Sequence, residues 1–112
     1  MWACERAVAV AAARAGGRAA LPHFRRADLQ VEHKADDSPV TIADRASESA
    51  ARELIHAAFP ADGWLGEETG SSDGCSDRRW VVDPIDGTRN FLRGIPLWST
   101  LVACEQRQAD GV

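Results

Sequence analysis

Tyrosine is absent from the 112 residues and lysine occurs once, at Lys34, while alanine and arginine abound. We read that skew as a bias in base composition, without functional meaning. Long apolar runs are also missing. The longest is the seven residues from Ala7 to Ala13, whereas a membrane-spanning helix needs ~20, so no membrane partner is expected. Glu5 and Arg14 flank the run closely, and it reads as a helix of a cytoplasmic protein, not as the core of an export signal. The three cysteines, Cys4, Cys75 and Cys104, are odd in number and contain no CxxC pair. That argues against a disulfide framework and a thiolate zinc site, and suits a reducing cytoplasm. A basic excess is lacking too. The net charge of −4 argues against nucleic acid as a partner held through its phosphates.

What remains is ordinary for one globular domain: 45% hydrophobic and 27% charged residues over 112 positions. The charge is uneven, with residues 1–34 at net +3 and residues 35–112 at net −7. Any cation site is therefore to be sought in the second segment. No internal repeat is visible.

Residues 3–24 carry Cys4, Ala7, Val8, Ala11, Ala12, Ala15 and Ala19 at three-to-four spacing, which predicts a helix. Gly16-Gly17 is a candidate break, since each glycine costs about 1 kcal/mol relative to alanine. Asp28 to Val31 reads as a short strand and Asp36 to Pro39 as a loop. A second helix is expected over 41–58. Thr41-x-x-Asp44 resembles a capping box, Ala43, Ala46, Ala50, Leu54 and Ala58 form the buried stripe, and Pro60 ends it. Trp64-Leu65 leads into Gly66-Glu67-Glu68, and residues 70–77, rich in Gly, Ser and Asp, read as a mobile loop. Trp80 to Asp83 and Leu97 to Cys104 read as strands. The chain reaches Val112 without a capped helix or polar tail. Helices followed by strands predict an α+β fold, two helices layered on an antiparallel sheet.

The chemistry concentrates in Asp83-Pro84-Ile85-Asp86-Gly87-Thr88. Pro84 fixes its own φ and extends Asp83, and Asp86-Gly87 favours a tight turn. Both carboxylates can then face one point with the Ile85 carbonyl between them. Donors that are all oxygen suit Mg2+ or Ca2+ and not zinc. The N–H groups of Gly87 and Thr88 could cradle an anion if they open a helix. The bland alternative is an Asp-Gly turn capped by Asp83. Glu67 and Glu68 end an apolar segment as Asp83 does, so two strand ends could deliver carboxylates to one sheet edge; the alternative is a solvated pair. Asp44 is either a helix-start residue or a carboxylate orienting water through the Thr88 hydroxyl. His23, His33 and His56 fall in no motif. The haloacid-dehalogenase pattern Asp-x-Asp, with a covalent aspartyl-phosphate, is one residue shorter than the Asp83-x-x-Asp86 found here, which disfavours that mechanism.

Three stretches together resemble the inositol monophosphatase superfamily: Lys34 with Ser38-Pro-Val-Thr-x-x-Asp44, Gly66-Glu67-Glu68, and Trp80-Val-Val-Asp83-Pro-Ile-Asp86-Gly-Thr88-x-Asn90-Phe91. The resemblance covers nearly the whole chain. It implies that these residues form the N-terminal half of an αβαβα sandwich. It implies Glu67, Asp83, the Ile85 carbonyl and Asp86 as Mg2+ ligands. Substrate phosphate would be bound by Glu67, Asp86, Gly87 and Thr88, and the attacking water positioned by Asp44 and Thr88. Gly94-x-Pro96-x-Trp98-x-Thr100-Leu101 is similar to the histidinol-phosphate phosphatase branch. The expected activity is Mg2+-dependent hydrolysis of a small phosphorylated metabolite, histidinol phosphate first, with inositol 1-phosphate and sugar or nucleotide phosphates as alternatives. The uncovered sheet edge of such an N-terminal half would be an exposed apolar surface that invites a homodimer. Family members are more than twice as long and supply a further Asp ligand from a C-terminal Trp-Asp motif. The isolated 112 residues are therefore expected to be inactive, either as part of an enzyme or as a metal- or partner-binding remnant.

Overall fold

The structure is a computed structural model that describes residues 2–24, 31–33, 39–96 and 98–107, with the backbone alone at 31–33 and 39–41. Helix α1 runs Ala3–Ala20 and gives way to a 3-10 turn at Leu21–His23, where Pro22 enters. Strands β1 (Val31–His33) and β2 (Pro39–Thr41) pair antiparallel. Helix α2 spans Ile42–Ala58. Then follow β3 (Gly63–Gly66), β4 (Gly70–Ser72), β5 (Arg78–Asp86), the short α3 (Thr88–Leu92) and β6 (Ser99–Gln106).

The α+β layering is as expected, with one correction to the sheet. Its four strands lie in the order β4-β3-β5-β6, and β3 pairs with β5 in parallel, not antiparallel. Strand β4 folds back on the outer edge of β3, so the chain re-enters the sheet on the other side of β3 already turned round. The expected loop over 70–77 is accordingly part strand. Its remainder is tied down by Cys75 and Ser76 N–H groups donating to the Ala61 carbonyl at 2.7 and 3.0 Å.

Both long helices cover one sheet face. Ala12 of α1, Ala51 and Ile55 of α2, and Trp64, Trp80 and Val82 of the sheet form one buried cluster, with Val102 and Cys104 packed against it. Phe59 stacks on Trp80 with centroids 5.6 Å apart. The Trp80 indole N–H donates to Asp62 at 2.9 Å, and Arg78 bridges Asp62 to Glu5 of α1. On the other face Leu65 and Leu101 are exposed. Burial pushes the Cys104 thiol up from its ordinary value, and all three cysteines are free. Among the described residues no helix is long and apolar enough to cross a membrane.

Both helical stripes differ from the alanine pattern. On α1 the buried positions are Ala12, Gly16 and Ala20, and Cys4 and Ala7 are exposed. On α2 they are Ala43, Asp44, Ser47, Glu48, Ala51 and Ile55, while Ala58 is exposed. The buried face of α2 thus includes three polar residues, which an apolar periodicity passes over. Residues 28–30 of the expected strand at 28–31 lie outside the described residues, as does Leu97. The side chain of Thr41, the expected cap, does too.

The candidate break at Gly16-Gly17 does not occur; α1 is continuous through both. Gly16 is instead where the helices approach: a Cβ there would lie 2.9 Å from Ser47 Oγ and 3.1 Å from Thr100 Cγ2. At Gly17 a Cβ would meet only Thr100 Oγ1, at 4.0 Å. Neighbouring glycines should therefore respond with opposite sign. Gly16→Ala is expected to destabilise by roughly 1–3 kcal/mol through overpacking, and Gly17→Ala to stabilise by up to about 1 kcal/mol through helix propensity. Thermal unfolding followed by circular dichroism reads both.

Candidate active site

The site is built where β5 stops pairing regularly. Asp83 faces Leu101 and Asp86 faces Ser99, so three steps on β5 match two on β6. Pro84 cannot donate to the ladder, and such a bulge bends the strand and re-aims its side chains. The strand does not end at Asp83 but carries both aspartates. Gly87 follows with φ 90° and ψ 41°, a left-handed conformation that suits glycine, and α3 begins at Thr88.

The bulge is held from behind. The Pro84 carbonyl accepts from Thr100 Oγ1 at 2.7 Å and from Ser47 Oγ at 3.3 Å. Ile85 is buried with Ala20, Ala43 and Phe91. Phe91 meets Trp98 edge-on with centroids 4.9 Å apart, and Phe24 packs against both rings. Trp98 and Thr100 therefore support the bulge and α3 from the core side, and neither lines the cleft in front.

That cleft, of about 360 Å³, is lined by Glu67, Asp83, Ile85, Asp86, Gly87, Thr88, Arg89 and Asn90. Every residue expected as a metal or phosphate ligand lines it. Glu67 arrives from the turn after β3, because the parallel pairing of β3 and β5 sets Gly66 beside Val82. Glu67 and Asp86 are exposed, and Asp83 is half-buried. The Thr88 hydroxyl donates to the Ile85 carbonyl at 2.9 Å, which leaves that oxygen its second lone pair and the hydroxyl its acceptor capacity. Thr88 and the residues after it open α3, where the first N–H groups lack partners within the helix.

The gathering is incomplete in two respects. Among the described residues no three Asp, Glu, His or Cys side chains converge as a metal-holding group. Asp44 is buried in the first turn of α2 and does not line the cleft. The donor set still fits a hard divalent cation by its chemistry, since Glu67, Asp83, Asp86 and the Ile85 carbonyl offer oxygen alone. Lys34 and Ser38 lie outside the described residues.

Sequence reasoning missed Glu48. It is fully buried, one helical turn beyond Asp44, and receives the Glu68 and Thr69 backbone N–H groups. Its only signal in the sequence is a carboxylate on the same helix face as Ala43 and Ala51.

A family model described as the inositol monophosphatase family matches residues 1–109. A histidinol-phosphatase of Chlorobaculum parvum is 46% identical over 98 residues, which cover 88% of this chain and 38% of that protein. A histidinol-phosphatase of Mycobacterium tuberculosis is 49% identical over 89 residues, covering 80% and 33% respectively. The crystal structure of the extragenic suppressor protein suhB from Bartonella henselae superposes with a TM-score of 0.85 at 35% identity, covering 92% of this chain and 41% of that one. The chain thus spans little more than a third of the length of these curated relatives.

The support behind the bulge generates a stability prediction. Thr100→Val is expected to cost about 1 kcal/mol, because the Ser47 hydroxyl still reaches the Pro84 carbonyl. Combined with Ser47→Ala, the loss should exceed the sum of the single changes, as expected for partners of one acceptor. A double-mutant cycle in urea measures the coupling.

Proposed function

The chain belongs to the inositol monophosphatase family, and from that membership we propose that the intact protein is a Mg2+-dependent phosphate monoester hydrolase whose preferred substrate is histidinol phosphate. The observation that carries the activity is the single cleft into which Glu67, Asp83, Ile85, Asp86 and the start of α3 all open. The choice of substrate rests on two relatives named as histidinol-phosphatases and on the Gly94 to Leu101 stretch.

In this reading Glu67, Asp83, Asp86 and the Ile85 carbonyl hold Mg2+. When bound, the metal lowers the pKa of a water and neutralises charge at the phosphoryl and leaving oxygens. The chain's own groups bind and orient. The N–H groups of Gly87 and Thr88 take substrate phosphate oxygens, with Arg89 at the rim adding positive charge. The Thr88 hydroxyl, fixed by its bond to the Ile85 carbonyl, accepts a hydrogen bond from the attacking water and so aims it. The family resemblance further assigns Asp44 to positioning that water, although Asp44 lies outside the lining of the cleft. No residue forms a covalent phosphoryl bond, since the aspartates serve as ligands.

The test uses the intact protein. Asp83→Asn and Asp86→Asn each remove a ligand's charge and preserve its shape. Both are expected to abolish phosphate release while leaving circular dichroism unchanged. Activity within about tenfold of wild type in either variant, a loss of only ~1.4 kcal/mol in the barrier, sinks the assignment. Hydrolysis in ¹⁸O-water should label the released phosphate directly, and acid-quenched protein should carry none. A higher kcat/KM on histidinol phosphate than on inositol 1-phosphate is expected; the reverse order overturns the substrate and spares the metal centre.

A further inference from the structure

Glu48 lies in the interior of α2 and is 0% exposed. A buried carboxylate is costly unless its charge is matched by hydrogen bonds. Here the backbone supplies the match. The Glu68 N–H donates to Oε1 at 3.0 Å and Oε2 at 3.2 Å, and the Thr69 N–H donates to Oε2 at 2.5 Å. Both amides belong to the turn Glu67-Glu68-Thr69, closed by the pairing of Gly66 with Gly70. Gly66 sits directly on the carboxyl group: a Cβ there would be 2.6 Å from both Cδ and Oε2. The absence of a side chain at 66 is what lets the turn close onto the charge. A second tie runs from the Trp64 indole N–H to Thr69 Oγ1 at 2.7 Å.

Glu67 is the residue of this turn that lines the cleft, and it immediately precedes the two bonded amides. We propose that Glu48 is a positioning residue for the metal centre: its buried carboxylate clamps the 67–69 turn and thereby sets Glu67 relative to Asp83 and Asp86. The proposal deepens the reading of the cleft as a Mg2+ site and rests on it. Charge and geometry are both needed. Glutamine fills the same space, but it has one acceptor oxygen and turns an NH2 group toward N–H donors.

The experiment compares the intact wild-type protein with Glu48→Gln, Gly66→Ala and the control Glu53→Gln, an exposed glutamate of the same helix. Hydrogen exchange at Glu68 and Thr69 reads the clamp, with the amides of Trp80 to Val82 as an internal reference. Glu48→Gln is expected to speed the two amides by about tenfold and to leave the reference unchanged. Mg2+ titration by calorimetry, and the Mg2+ dependence of phosphate release, read the consequence. Half-saturation should rise about tenfold, as for outer partners of metal ligands elsewhere, while kcat at saturating Mg2+ falls much less. Gly66→Ala should reproduce both shifts and Glu53→Gln neither. A purely structural role would lower the melting temperature and the active fraction without moving Mg2+ half-saturation. Unchanged exchange at 68 and 69 overturns the clamp; released amides with unaltered Mg2+ affinity overturn the positioning role. A wild-type protein that binds no Mg2+ overturns the metal reading and the positioning role together, and the exchange measurement still decides the clamp by itself.

Discussion

The arrangement depends on a central strand that must stay paired along most of its length and cannot be paired at Pro84. Upstream of the proline, β5 runs between β3 and β6 and carries Trp80 and Val82 into the core. At the proline the ladder loses a donor and the register with β6 slips. A slip in a buried central strand would ordinarily be penalised by orphaned polar groups. Here hydroxyls from a helix and from the neighbouring strand reach the freed carbonyl. The irregularity is stable because α2 and β6 both supply hydroxyls to it, and it places two carboxylates and a carbonyl at the mouth of one cleft.

The helices serve this junction as well as the hydrophobic core. Helix α1 comes close enough to α2 only because residue 16 has no side chain. Helix α2 then presents Ser47 to the bulge and Glu48 to the turn that carries Glu67. Successive residues of one helix thus brace the two acidic segments of the cleft. At the far end of the sheet a separate polar network, centred on Asp62, fixes Trp80 and Arg78 and joins the start of α1 to β5. The sheet is therefore pinned at both ends, and the cleft forms at the end where regular pairing stops.

Much was legible in the sequence, for identifiable reasons. The extent of α2, the strand through Trp80 to Val82, and the glycine turn after Asp86 follow from local rules: apolar periodicity, proline's fixed φ, and the left-handed conformation that Gly87 adopts. The acidic residues at the ends of two apolar segments marked where to look for a cation site, and the resemblance to the family singled out Glu67, Asp83, the Ile85 carbonyl and Asp86 as its ligands. The buried stripes were misread for a physical reason. Alanine is so common here that it marks no face, and the true faces of α1 and α2 include Gly16, Ser47 and Glu48, whose burial depends on partners distant in sequence.

The amino-acid sequence alone determined the family, the α+β class and the residues able to donate oxygen to a cation, since each is a matter of residue type and short-range spacing. Tertiary structure alone decided that β3 runs parallel to β5 and so brings Glu67 into the same cleft as Asp83 and Asp86. It alone decided that Trp98 and Thr100 stand behind the site and not in it. It alone turned Glu48 inward to accept two backbone amides. Each of these depends on hydrogen bonds or packing between segments far apart along the chain, and a one-dimensional pattern contains no term for which backbone amide a buried carboxylate will meet.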